Sequence, residues 1–136
     1  MNQTQKQLVK TSFAQIAKIA DTASELFYER LFELDPTLRP MFKGDLVEQG
    51  RKLMQMLALV VGGLDYFETM RSSLQQLGAR HIGYGVTADH YQTVGAALIW
   101  TLEQGLGDGF TQDVRAAWTA VYTLVAGTMQ KAAMTA

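Results

Sequence analysis

Only two prolines interrupt this 136-residue chain, Pro36 and Pro40, and they stand within five residues of each other. Proline is the residue that helix interiors tolerate least, so every stretch outside that window is free to be helical. The apolar residues use that freedom. Val9, Phe13, Ile16 and Ala20 step by 4, 3 and 4, the spacing of one helix face, and Thr4 with Gln7 reads as a capping box at its start. Asp21 interrupts, and a second stripe runs through Phe27, Leu31 and Leu34 to Asp35-Pro36. That pair supplies an N-cap and an N1 proline for a short helix reaching about Phe42. Beyond Gly44, Asp45 with Glu48 opens a helix buried along Leu46, Leu53, Leu57, Val60 and Leu64. Asp65 with Glu68 repeats the signal ahead of Phe67, Met70, Leu74, Leu77 and His81, which places His81 on an apolar face. Thr87 caps a helix with Tyr91, Val94, Leu98 and Leu102 inside, and Gly105, Gly107 and Gly109 stop it. The last helix starts near Thr111 and buries Val114, Trp118, Val121, Val125 and Met129. No run shows the period-2 alternation of a half-buried strand. The expectation is an all-α fold of seven helical segments in one domain over residues 1–136, its stripes buried against one another.

Composition narrows the chemistry. With no cysteine, the chain cannot build Fe–S clusters, thiolate-based zinc sites, thiolate-ligated haem or a cysteine nucleophile. Twelve basic and thirteen acidic residues leave a net charge of −1, so no basic field points to nucleic acid or an anionic membrane. The longest uncharged run, Ala116 to Gln130, has fifteen residues and three threonines, short of the ~20 apolar residues of a membrane span. A start without the pattern of a signal peptide, and the lack of cysteine, lead us to expect a cytoplasmic protein with a small-molecule partner.

Two histidines remain, His81 and His90. Zinc would need carboxylates converging from other helices, no GxSxG elbow supports serine hydrolysis, and Gly105-x-Gly107-x-Gly109 follows a helix and lacks the P-loop lysine. One chemistry suits a single histidine near the end of an apolar helix face: axial ligation of haem, whose iron needs one protein ligand. The imidazole binds through Nε2 while Nδ1–H is fixed by an acceptor, for which the Leu77 carbonyl one turn earlier is the candidate. On periodicity alone, a core histidine satisfied by hydrogen bonds remains the competing reading, and an ordinary core tyrosine is the competing reading of Tyr28.

Several stretches shift that balance. Leu26-Phe-Tyr-Glu-Arg-Leu-Phe32 leads to Asp35-Pro36 and Met41-Phe42; Gln49-Gly-Arg-Lys-Leu-Met54 follows; then come Leu77-Gly-Ala-Arg-His81 through Tyr84-Gly-Val86, His90-Tyr91 with Val94-Gly95, and Phe110-Thr111 through Ala116-Ala-Trp118. In order and spacing these resemble the globins of the single-domain bacterial haemoglobin and flavohaemoglobin type, and the C-terminal third is also similar to neuroglobin. The resemblance implies a globin fold, a 3-over-3 helical sandwich around a haem b pocket. It implies His81 as the iron ligand and Phe42 as the ring packed on the haem. Lys52, Leu53, Leu77, Arg80, Tyr84, Val86, Tyr91, Val94 and Leu98 become further haem contacts, with Lys52 and Arg80 as propionate partners. Tyr28 and Gln49 match the distal pair of the bacterial globins, Leu53 the apolar residue overhanging the ligand, and Gly50 with Ser24 the small pair at a close helix crossing.

The distal pair also has a physical reading. Dioxygen on ferrous haem becomes charge-separated, carbon monoxide much less so, and a donor aimed at that charge in a dry pocket stabilises it. Tyr28 O–H and the Gln49 amide are both donors. An amide is a poor iron ligand, so the bis-histidyl state of neuroglobin is not expected, and His90, beside Tyr91 at a helix start, is expected to face solvent. One departure matters. The flavohaemoglobin pattern sets a tyrosine and a late glutamate beside the proximal histidine; Tyr91 matches the first, but residues 114–136 contain no acidic residue and Ala133 stands near the glutamate's place. A more neutral imidazole follows, which favours stable O₂ binding over O–O cleavage. The resemblance therefore implies reversible, tight binding of O₂, with NO and CO as further ligands, by a monomer or weak homodimer. The enzymatic alternative is a nitric oxide dioxygenase re-reduced by a separate reductase, because no GxGxxG follows a strand here. The length is that of one globin domain, which places the reductase outside these residues.

Overall fold

The computed structural model describes the backbone of residues 2–42, 45–83 and 88–135; the side chains of 41, 68–69, 78–83, 88 and 131–135 lie outside the description. Within it are six α-helices, with three short 3-10 turns between them. They are α1 (Gln3–Ala17), α2 (Ala20–Leu34), α3 (Leu46–Gly62), α4 (Phe67–Gly83), α5 (Ala88–Leu106) and α6 (Gln112–Thr135). No strand occurs among the described residues. The proline window forms the 3-10 turn Pro36–Met41, with the Asp35 side chain accepting from the Thr37 N–H at 3.0 Å.

The stripes of α1, α5 and α6 are largely buried, with Val9, Leu102 and Trp118 essentially inaccessible, but Ala20, read as the end of the first stripe, opens α2 and is half-buried. Trp118 Nε1–H donates to Ser12 Oγ at 2.8 Å, and Ser12 in turn donates to the Leu8 carbonyl at 2.7 Å. This chain satisfies a buried indole N–H and ties α6 to α1. Two layers result, α1, α3 and α4 against α2, α5 and α6, with α1 and α4 on α6 and α2 on both α3 and α5. Gly107, at φ +55°, ends α5 in the left-handed region that glycine enters without a Cβ clash.

Two expected helix starts are corrected. The first capping box is Asn2 with Gln5, not Thr4 with Gln7: Asn2 Oδ1 accepts from the Gln5 N–H at 2.8 Å and Gln5 Oε1 from the Asn2 N–H at 3.2 Å. Both pairs have acceptable residue types, so local chemistry alone does not choose between overlapping boxes. Asp65 does not cap α4 either. It lies in the 3-10 turn Leu64–Tyr66, and its carboxylate is taken by Lys10 Nζ at 2.6 Å and Lys6 Nζ at 3.7 Å. These ammonium groups hold the Asp65 carboxyl below the usual carboxylate range. The cluster is solvated, so it contributes little to stability despite its short distance. The Thr87 cap falls outside the described residues.

Candidate functional site

The best-defined part of the site is built where α2 crosses α3. A Cβ added to Gly50 would lie 2.7 Å from Ser24 Cβ and 2.9 Å from Ser24 Oγ, so the helices approach this closely only because residue 50 has no side chain. Ser24 Oγ donates to the Gly50 carbonyl at 3.3 Å across the crossing. One turn along α2, Tyr28 is 6% exposed and sits in an aromatic cage. Phe27 and Phe42 meet its ring edge-on at centroid distances of 5.1 and 5.4 Å, and Phe32 stacks at 6.1 Å. Such offset and edge-on contacts fix a ring by shape as well as by area. Burial pushes the phenol up to about 12. No hydrogen-bond partner for Tyr28 Oη stands among the described residues. The ring is buried, but the hydroxyl oxygen itself is not sealed off, so the donor can reach a ligand or solvent.

On α3, Gln49 and Leu53 are half-buried one turn apart, and Lys52 between them is exposed. Phe42, Leu53, Leu77 and Val94 are partly buried apolar side chains packed at the edge of the core. Among the described residues, α3 and α4 share no packing of the extent that joins the other neighbours. Incompletely covered apolar residues on α3, α4 and α5, a phenol on α2 with no partner among the described residues and a histidine position near the end of α4 fit a flat apolar group such as haem. Of the residues read as its contacts, Leu98 and Tyr91 are buried in α5. His81 and Arg80 belong to the last turn of α4, and their side chains, like Tyr84 and Val86 entirely, lie outside the described residues.

The sequence reading missed one lock on the α5 side. Tyr122 Oη of α6 donates to the Tyr91 carbonyl at 2.5 Å. Its ring packs against Gly95, where an added Cβ would come within 2.7 Å of Tyr122 Cε2. Burial, reinforced by neighbouring Tyr91, drives the Tyr122 phenol upward, so it stays a neutral donor at physiological pH. No local pattern signals this contact, because the acceptor is a backbone carbonyl 31 residues away. Gly95→Ala is therefore expected to force α5 from α6 and lose about 1–3 kcal/mol in urea unfolding; an unchanged midpoint would mean that the ring moves freely. His90, expected in solvent, is half-buried in the first turn of α5 and has a contact within the protein.

Comparison with known proteins places this arrangement. The model of the globin family matches residues 25–129, and the chain belongs to that family. Neuroglobin-1 of Oncorhynchus mykiss is 27% identical over 145 aligned positions, covering 96% of this chain and 91% of that protein. A flavohemoprotein of Vibrio cholerae is 28% identical over 88% of this chain, which spans only 31% of that longer protein. Among solved structures, an engineered carbene transferase, whose parent carries the designation of a nitric oxide dioxygenase from Rhodothermus marinus, superposes with a TM-score of 0.88 at 24% identity, covering 99% of this chain and 94% of that one. A bacterial globin of Campylobacter jejuni gives 0.84 at 22% identity, covering 98% and 97%. These two show the globin fold, and family membership supports haem as cofactor and haem-based binding of small gases. No described helix is long and apolar enough to cross a membrane.

Proposed function

We propose that this chain is a haem b globin that binds O₂ reversibly and tightly, for storage, delivery or scavenging of small gases, with His81 as iron ligand and Tyr28 and Gln49 as distal donors. The observation that carries the proposal is Tyr28: a buried neutral phenol, held by three phenylalanines, whose hydroxyl lacks a partner among the described residues. Haem, when bound, supplies a ferrous iron with one position open to a neutral diatomic gas. The protein side chains then decide which gas stays. Tyr28 offers a donor to a charge-separated ligand, Leu53 limits the space above it, and the Gly50–Ser24 crossing holds α2 and α3 at the separation the pair needs. Lys52, exposed on α3, is free to reach a propionate. Residues 1–136 act as one globin domain, a monomer or weak homodimer in the cytoplasm.

The enzymatic alternative, nitric oxide dioxygenation with electrons from a separate reductase, draws support from the relatives named flavohemoprotein and nitric oxide dioxygenase. NO consumption in the presence of a nicotinamide-dependent flavin reductase separates the two. A binding protein gives one stoichiometric burst, which is the expected result; sustained consumption over many turnovers would replace it with the enzyme.

A further inference from the structure

A solvent-facing cleft of about 440 Å³ lies between α2 and the first turn of α3. Tyr28 and Phe32 form part of its wall, Val47 stands at its mouth, and Asp21, Glu25 and Glu29 line its α2 side. Three features of this cleft go together. Its wall contains the one phenol read above as the gas donor, nine-tenths buried and unpartnered among the described residues. Its volume far exceeds a diatomic molecule, which occupies about as much space as a water, ~30 Å³. And its rim is a row of carboxylates at i, i+4 and i+8.

That row does not serve the helix. Like charges four apart on one face repel, and only Asp21, in the first turn, gains from the helix dipole. No lysine or arginine among the described residues forms an ion pair with any of the three. In a cleft with low-dielectric walls such charges focus their field into the opening. Anions are held out, whereas O₂, CO and NO carry no charge for the field to act on.

We propose that the α2–α3 cleft is the entrance by which neutral diatomic gases reach Tyr28, and that Asp21, Glu25 and Glu29 exclude anions from it. The proposal rests on the reading of Tyr28 as the distal residue of a haem site. Anion exclusion would keep anionic ligands away from the site without slowing gas entry.

The test uses the haem-loaded protein and two probes, thiocyanate with the ferric form by stopped flow and CO with the ferrous form by flash photolysis. In E25Q/E29Q, thiocyanate association at low ionic strength should rise by about tenfold, and the gain should fade when salt brings the Debye length to about 3–4 Å. CO association should stay as it was. In Val47→Trp, which narrows the mouth at an exposed position, both association rates should fall several-fold. Unchanged thiocyanate association in E25Q/E29Q would overturn the exclusion, and unchanged CO association in Val47→Trp would overturn the entrance. Failure of the underlying reading shows elsewhere: Tyr28→Phe would then leave O₂ dissociation untouched, whatever the association rates do.

Discussion

His81→Gly is expected to emerge from gel filtration largely without haem, and imidazole added during reconstitution is expected to restore a pigmented, gas-binding protein. The chain holds no cysteine and only one other histidine. His90 stands in the first turn of α5, half-buried and already in contact within the protein, so it is not free to replace a ligand from α4. Even outer-shell partners of a metal ligand are worth 10–100-fold in affinity, so removal of the ligand itself should cost more than about 100-fold. Glycine leaves space the size of the missing ring, and a free imidazole can occupy it while α4 keeps its course. His90→Ala, in contrast, should retain haem and its spectrum. A His81→Gly protein that holds haem as wild type does, or a His90→Ala protein that loses it, would move the proximal site to α5.

Much of this fold was legible because its helices carry their burial pattern openly. The proline pair bounds one 3-10 turn, the stripes of α1, α5 and α6 are largely buried where the periodicity placed them, and Gly50 opposite Ser24 marks the α2–α3 crossing. What escaped were interactions between a side chain and something with no sequence signature. Tyr122 binds a distant backbone carbonyl, and Trp118 depends on a serine 106 residues earlier that looks like any polar interruption of a stripe. Asp65 had the residue type of a cap, yet two lysines from α1 outbid the helix terminus for its carboxylate. Glu25 and Glu29 drew no role from the sequence, and the cleft beside them is what gives their spacing a consequence. The candidate site was legible in a different way. The phenylalanines around Tyr28 come from α2 itself and from residue 42, close in sequence, so the motif and the cage are nearly the same stretch of chain.

That cage makes Tyr28→Phe the most informative substitution. The ring and its contacts with Phe27, Phe32 and Phe42 remain, so the packing of α2 is preserved. The lost hydroxyl has no partner among the described residues and is not sealed from solvent, so its removal breaks no hydrogen bond within the protein and costs little stability. Unfolding of the ligand-free protein should therefore be unchanged or slightly harder in the variant. Gas binding should change sharply. A hydrogen bond to a charged acceptor contributes about 1.5–3 kcal/mol, and each 1.4 kcal/mol is tenfold, so O₂ dissociation should accelerate by about 10- to 100-fold. CO, with little charge separation, should dissociate within about twofold of wild type. Gln49→Leu should give a smaller acceleration, because Gln49 is half-buried and its amide shares its donors with solvent. The pH dependence follows from the sign of the phenol shift. Burial disfavours the tyrosinate and raises the group to about 12, so the O–H donor is present throughout the neutral and mildly alkaline range. Wild-type O₂ dissociation should accordingly be flat from about pH 6 to about pH 10 and rise only as the phenol begins to ionise. A Tyr28→Phe protein that releases O₂ at the wild-type rate would remove Tyr28 from the site.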